Sequence, residues 1–266
     1  MVFSFPLVHN APMTREYWNQ NLDTDNLSRQ GDGAALDLDE AIRFARTPEF
    51  EWLRDQAACL DGKTLLDIGG GLGMQMIIWA REGARVIVAD MAEARLQAAR
   101  EIIRQAEVED RVQLLAAKAE ELPLPDAAVD FVFTKSVLIH TDLPRAAREM
   151  YRVLKPGGRG LFIEPLNRNP IIGLYRRLFA PKIWRTITRY FDAKAIGELA
   201  EPFDDCRVEK FYLLAAGSFF WQYGLKRCAH FEKSIRFWCT VDRGLMRLLP
   251  FLRGWCWFAS IRLDKK

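Results

Sequence analysis

The sequence predicts an α/β protein, a mostly parallel sheet with helices on both faces, and three observations carry that reading. Short apolar runs alternate with helical patterns from residue 64 onward, the signature of strands joined by crossover helices. The first run, Leu65-Leu66-Asp67-Ile68, ends in the glycine-dense turn Gly69-Gly70-Gly71-Leu72-Gly73 and passes directly into a new helix. The next run, Arg85-Val86-Ile87-Val88-Ala89-Asp90, ends in a carboxylate about twenty residues further on. Five strands are placed at residues 65–68, 86–89, 112–116, 131–134 and 160–163, with helices at 75–81, 92–106 and 143–153. Ligands of such sheets lie at the carboxyl ends of the strands, so the ends at Gly69, Asp90, Thr134 and Glu164 converge on one edge.

Half of the 266 residues are apolar, enough for one large domain with a full core. Residues 1–63 read as a helical N-terminal cap, with helical spacing at 37–44 and 49–60 and a start signal at Thr47-Pro48. Residues 64–266 form the main domain, extended by insertions at about 166–207 and 217–254. The five cysteines are odd in number and hold no Cys-x-x-Cys pair, which points to a reducing compartment and to neither a disulfide framework nor a metal site. The first residues, Met1-Val2-Phe3-Ser4-Phe5-Pro6, lack a basic region and a long apolar stretch, so the expectation is a cytoplasmic protein without a targeting peptide.

Gly69, Gly71 and Gly73 stand at alternate positions, where glycine permits torsions and a ligand approach that no side chain allows. A dinucleotide fingerprint wants its third glycine where Met74 stands, whereas the spacing here is Asp67-x-Gly69-x-Gly71-x-Gly73. Asp90 can accept both ribose hydroxyls of a nucleoside. Loop and carboxylate together predict a nucleoside site, while the missing third glycine and the segment Leu154-Lys155-Pro156-Gly157-Gly158 count against hydride transfer from a dinucleotide.

Over residues 64–165 the chain resembles the class I S-adenosylmethionine-dependent methyltransferases of the small-molecule type, which include quinone and sterol methyltransferases. Four ordered motifs carry the resemblance: Asp67 to Gly73, Asp90, Glu121-Leu122-Pro123-Leu124-Pro125-Asp126, and Val153-Leu154-Lys155-Pro156-Gly157-Gly158. The resemblance implies a Rossmann-like seven-stranded sheet whose sixth strand lies at 208–215 and whose antiparallel seventh, at 257–263, runs between the fifth and sixth. It implies S-adenosyl-L-methionine as cofactor, held by Asp67, Gly69, Gly71, Gly73, Asp90 and Met91, with Ala119, Glu120 and Lys135 completing the site. Lys118 stands where the family usually has an aspartate before the alanine, and an ammonium offers the adenine amino group no acceptor. The resemblance further implies that the cap closes over the donor, bringing Tyr17 and Trp18 to it; the alternative for both is an anchoring role in the core.

The implied chemistry is displacement at the methyl carbon of a sulfonium, which needs alignment and, for a weak nucleophile, removal of a proton. His140, in Val137-Leu138-Ile139-His140-Thr141, is the first candidate base, with an ordinary pKa near neutrality. The alternative is a structural histidine. Glu164 is the second candidate, with orientation of the pocket or a bond to a loop amide as its alternative. Asp130, at the far end of its strand, reads as structural. The motifs leave the acceptor open, and donor binding without transfer stands as an alternative. No cysteine lies close to the strand ends, which disfavours arsenite.

Charge divides the chain at Glu164-Pro165. Residues 1–164 carry 19 Lys and Arg against 26 Asp and Glu, whereas residues 165–266 carry 19 against 9 and hold 19 of the 31 aromatics. Aromatics and basic residues interleave, as at 221–227 and 233–238, which suits a membrane surface. The bland alternative packs these aromatics onto the sheet with the arginines solvated outside. The longest uncharged run, 211–225, has 15 residues, short of the roughly 18 to 20 that span a bilayer. No RNA-binding module is visible, so no nucleic-acid partner is expected. The expected partner is a small-molecule acceptor, hydrophobic or lipid-like, with a polar metabolite as the alternative, and the expected location is the cytoplasm or the inner face of the membrane.

Overall fold

The computed structural model describes residues 11–20, 38–223 and 228–266. The sequence reading of residues 224–227, which include Lys226 and Arg227, falls outside the described residues, as do 1–10 and 21–37. The chain runs α1 (Ala11–Gln20), α2 (Leu38–Ala45), α3 (Pro48–Ala57), β1 (Thr64–Ile68), α4 (Gln75–Arg81), β2 (Arg85–Asp90), α5 (Glu93–Gln105), β3 (Val112–Ala116) and β4 (Val129–Lys135). It continues through α6 (Leu143–Val153), β5 (Leu154–Pro165), α7 (Pro170–Leu178), α8 (Trp184–Ile187) and α9 (Ala193–Ala200). It ends with β6 (Asp205–Phe211), α10 (Phe219–Tyr223), α11 (Cys228–Leu248) and β7 (Phe258–Asp264). The described strands form one seven-stranded sheet in the order β3-β2-β1-β4-β5-β7-β6, with β7 antiparallel to both neighbours. This is the predicted architecture, including the antiparallel strand between the fifth and the sixth.

Successive residues of the central strands point to opposite faces. Leu65, Val86, Phe133 and Ile163 enter one core with Phe50 of α3, Trp79 of α4 and Leu96 of α5. Leu66, Ala89, Val132 and Phe162 enter the other with Met150 of α6 and Leu199 of α9. The rings of Phe50, Trp79 and Phe133 meet within 4.9 to 5.9 Å of one another. Helix α6 forms because Leu143, Ala146, Ala147, Met150 and Val153 recur at helical spacing, and because Asp142 caps it by accepting from the Arg145 N–H at 3.3 Å. Asp130 accepts from the Thr64 N–H and from Lys155, at the strand end remote from the glycine turn.

The predicted cap contains two kinds of helix. Phe50 and Leu53 of α3 are fully buried in the sheet's core, so α3 belongs to the helical layer, while α1 lies over α5 through Arg15–Glu93 and Asn19. The sixth strand ends at Phe211, four residues earlier than the apolar run suggests. Tyr212 takes a φ of +65°, and buried Asp242 of α11 accepts from the amides of Leu213, Leu214 and Ala215 at 2.8 to 3.1 Å. Those amides are thereby removed from any strand ladder. Several C-terminal aromatics do pack as the bland reading holds: Tyr212, Phe219, Phe231, Trp257 and Phe258 surround a third small core. Replacing Asp242 by Ala leaves three amides without their acceptor and should lower stability by about 2–4 kcal/mol, read as a lower urea midpoint; an unchanged midpoint contradicts this role.

Candidate functional site

The site begins with register. β1 and β2 pair in parallel with Ile68 opposite Ala89, and β1 and β4 with Ile68 opposite Thr134, so these strand ends are level. The chain leaves β1 through Gly69, which has a φ of +69° and donates its N–H to the Ala89 carbonyl at 2.6 Å. A Cβ there would overlap the Val137 methyls. Gly71 has a φ of +22°, and a Cβ on it would lie 2.7 Å from Asp90 Oδ2 and 2.6 Å from Arg95 Nε. The loop backbone therefore lies directly against the carboxylate that ends β2. Gly70, which the alternate spacing passes over, is pressed just as closely against the Asp67 carboxyl group. Its only sequence signal is the run of three glycines.

Three buried acids line this edge. Asp67 is 2% exposed, and its Oδ2 has no hydrogen-bond partner among the described residues. Burial, reinforced by the neighbouring Asp90 charge, holds its carboxyl well above the ordinary aspartate range. Asp90 accepts from the Ala92 N–H at 2.8 Å through Oδ1, while Oδ2 lies 3.5 Å from Arg95 Nε. Glu164 is fully buried and accepts through Oε1 from the Leu138 N–H at 3.0 Å, the Val137 N–H at 3.2 Å and the Thr134 hydroxyl at 3.2 Å. Burial still pushes it up to about 8, and its Oε2 has no partner among the described residues. Glu164 thus holds the short 3₁₀ turn Leu138–His140 against the end of β5.

His140 closes that turn. Its Nδ1 lies 2.8 Å from the Ile187 carbonyl, and a carbonyl can only accept, so Nδ1 carries the ring hydrogen and Nε2 keeps its lone pair. Burial lowers its pKa, only partly opposed by the Ile187 bond, which keeps the ring neutral at neutral pH. The Trp18 ring of α1 meets the imidazole edge-on at 5.4 Å, and the Arg95 guanidinium carbon lies 5.3 Å from the Trp18 ring centroid. Tyr17 accepts from Trp184 Nε1 at 2.9 Å. Helix α1 therefore bridges the β2 side of the site, the His140 turn and the segment that carries α8.

The other expected residues take varied places. Gly73 closes the loop by donating to the Gly70 carbonyl at 2.6 Å, and Met91 is half-buried directly after Asp90. Ala119 is buried, whereas Lys118 is exposed in a tight turn paired with Glu121. Glu120 accepts from the Asp142 N–H at 2.9 Å, which ties the segment after β3 to the start of α6. Lys135 donates to buried Glu49 at 3.2 Å, and Glu49 also accepts from the Tyr212 hydroxyl. That cluster joins β4, α3 and the chain after β6; it and Arg95 carry no local signal in the sequence.

The sequence family described as a methyltransferase domain matches residues 66–162, the span that holds the loop, Asp67, Asp90 and His140 and ends two residues before Glu164. The chain carries a class I S-adenosylmethionine-dependent methyltransferase domain. Over 107 residues the chain is 41% identical to the ubiquinone/menaquinone biosynthesis C-methyltransferase UbiE of Escherichia coli, covering 39% of this chain and 43% of the relative. The chain thus spans less than half the length of the curated relatives it matches. Among solved structures, geranyl diphosphate C-methyltransferase from Streptomyces coelicolor, bound to Mg2+, geranyl diphosphate and S-adenosyl-L-homocysteine, superposes with a TM-score of 0.66 at 18% identity and 99% coverage of both chains. The [4+2]-cyclase SpnF superposes with a TM-score of 0.61 at 19% identity, covering 95% of this chain and 94% of its own. The described residues outside the matched span therefore share the fold of these structures as well, and one of them is a cyclase.

The residues of the domain fit S-adenosylmethionine. That donor carries a sulfonium and an α-ammonium, and this edge offers buried carboxyl groups, an unpartnered Asp67 oxygen and a backbone kept clear of Cβ atoms. Because Asp67 must ionise to pair with a cation, donor affinity should rise with pH until its raised pKa is passed and then level off. The Asp67→Asn variant should bind more weakly and lose that slope, as titration calorimetry from mildly acidic to mildly basic buffer would read. Gly71→Arg should abolish binding by filling the loop. Wild-type affinity in Gly71→Arg would contradict the assignment of the cradle.

Proposed function

We propose that this chain transfers a methyl group from S-adenosylmethionine to an oxygen or activated carbon of a small hydrophobic, lipid-like acceptor, such as a prenylated ring or a lipid-linked sugar, at the cytoplasmic surface of a membrane. The observation that carries the reading is the neutral His140, its Nε2 lone pair left available by the Ile187 bond, on a turn level with the donor cradle.

S-adenosylmethionine supplies, when bound, an electrophilic methyl on a positively charged sulfur. Asp67 would hold its α-ammonium, Asp90 its ribose hydroxyls, and the backbone of Gly69 and Gly71 would lie along it. Glu164 positions the turn through the Val137 and Leu138 amides, so that His140 can take a proton from the acceptor at Nε2. Trp18 and Tyr17 cover this edge and keep water from it. Quinone biosynthesis and geranyl diphosphate, the subjects of the relatives' names, support an acceptor with a prenyl or similar apolar part.

A second reading, donor binding without transfer, needs only the cradle of Gly69, Gly71 and Asp90 and no proton acceptor at His140. Turnover separates the two. His140→Ala should lower it by about 10²–10⁴-fold while leaving donor affinity intact. Falling pH protonates Nε2, so the acid limb of the rate should lie below 6.5, the ordinary histidine value, because burial lowers this pKa. Labelled methyl should enter a lipid extract in preference to aqueous metabolites. Normal turnover in His140→Ala removes the histidine's role, and label confined to water-soluble products replaces the lipid-like acceptor by a polar one.

A further inference from the structure

Residues 165–191 leave β5 directly after Glu164 and hold six basic residues, Arg168, Arg176, Arg177, Lys182, Arg185 and Arg189, with no acidic one. Within this segment α7 is built inside out. Ile171, Leu174, Tyr175, Leu178 and the following Phe179 recur at helical spacing and are 44, 59, 50, 61 and 71% exposed. On its inner side Ile172 is buried, and Arg176 turns back to donate to the Leu166 carbonyl at 2.9 Å with its guanidinium 3.4 Å from the Tyr190 ring centroid. A surface helix of a domain surrounded by water normally shows the reverse.

The helix is rigidly anchored. Asn169 caps it by accepting from the Ile172 N–H at 3.0 Å, and its Nδ2 donates to the carbonyls of Tyr212, Leu213 and Trp255 at 2.9 to 3.1 Å. The same anchor sets the 3₁₀ turn Pro250–Trp255 beside the start of α7. There Leu248, Phe251 and Trp255 are 79, 66 and 46% exposed, next to exposed Arg247 and Arg253.

We propose that α7 and the turn Pro250–Trp255 form a docking face for an anionic lipid bilayer. Charge complementarity selects this occupant: apolar side chains enter the interface while exposed Arg168, Lys182, Arg247 and Arg253 meet the head groups, Arg176 being turned inward and Arg189 paired with Glu198. A second copy of the chain would set this acid-free segment against itself, which like charges oppose. No helix among the described residues is long and apolar enough to cross a membrane, so the face rests on the surface. The purpose of docking rests on the lipid-like acceptor proposed above. The segment begins directly after Glu164 and reaches His140 through the Ile187 carbonyl, so a lipid entering beside α7 is close to the reacting atoms.

Flotation of the full chain with phosphatidylcholine vesicles, with and without phosphatidylglycerol, tests this face. The protein should float with the anionic vesicles about tenfold more strongly than with the neutral ones, and added salt should weaken it. The double variant Leu174→Glu, Phe179→Glu should bind at least about tenfold less while keeping wild-type donor affinity, which reports its fold. Absence of flotation at low salt, or unchanged flotation of the double variant, overturns the docking face. So does a wild-type dimer that the double variant dissociates without any vesicle binding. Methyl transfer into a detergent-dispersed lipid extract is scored separately. Flotation with label only in aqueous products supports the face and overturns the lipid-like acceptor, whereas label in lipid without flotation does the opposite.

Discussion

Three carboxyl groups with almost no access to water stand at one edge of the sheet, and the rest of the site is arranged around the cost of keeping them there. The level parallel register of β2, β1, β4 and β5 puts Asp90, Asp67 and Glu164 at that edge. Each is treated differently. Glu164 is offset by two amides and a hydroxyl, and Asp90 by the Ala92 amide and Arg95. Asp67 keeps one oxygen without any partner among the described residues. Burial of unmatched negative potential is unfavourable, and a cationic ligand relieves it. The positively charged donor proposed for this edge would relieve the same imbalance.

Around that edge the chain brings together segments far apart in sequence. The tautomer of His140 is set by a carbonyl 47 residues away, and the turn that carries it is held by Glu164, 26 residues from Leu138. Trp18 reaches the same imidazole from α1, and Tyr17 joins α1 to Trp184. The segment after β5 is therefore tied to the candidate site at both ends and turns an apolar face outward between them. The C-terminal aromatics divide accordingly. Those near Tyr212 and Trp257 complete a core, and those on α7 and near Trp255 are left exposed.

Much of this was legible in the residues themselves. The buried strands, the glycine turn, the acidic end of β2 and the helices α4, α5 and α6 follow from apolar periodicity and turn chemistry, both of which act between near neighbours in the chain. The end of β6 was not legible, because its apolar run continues past the point where Asp242, 29 residues on from Leu213, captures the amides. Nor was the engagement of Lys135, whose partner Glu49 lies 86 residues earlier and is itself held by Tyr212. The strictness of Gly70 depends on where the Asp67 side chain turns, and the place of Arg95 depends on how α5 packs over the loop.

Local patterns in the residues specify the alternation of strands and helices, the loop that excludes side chains, and the acids that stand at strand ends. These depend on local torsions and on a repeat of two or 3.6 residues, which any segment of the chain carries within it. Packing alone fixes which carboxyl oxygens lack a partner among the described residues, which nitrogen of His140 is the acceptor, and which face of α7 is left to the surroundings. Hydrogen bonds, burial and charge depend on distances between atoms, and those distances exist only once remote segments have packed together.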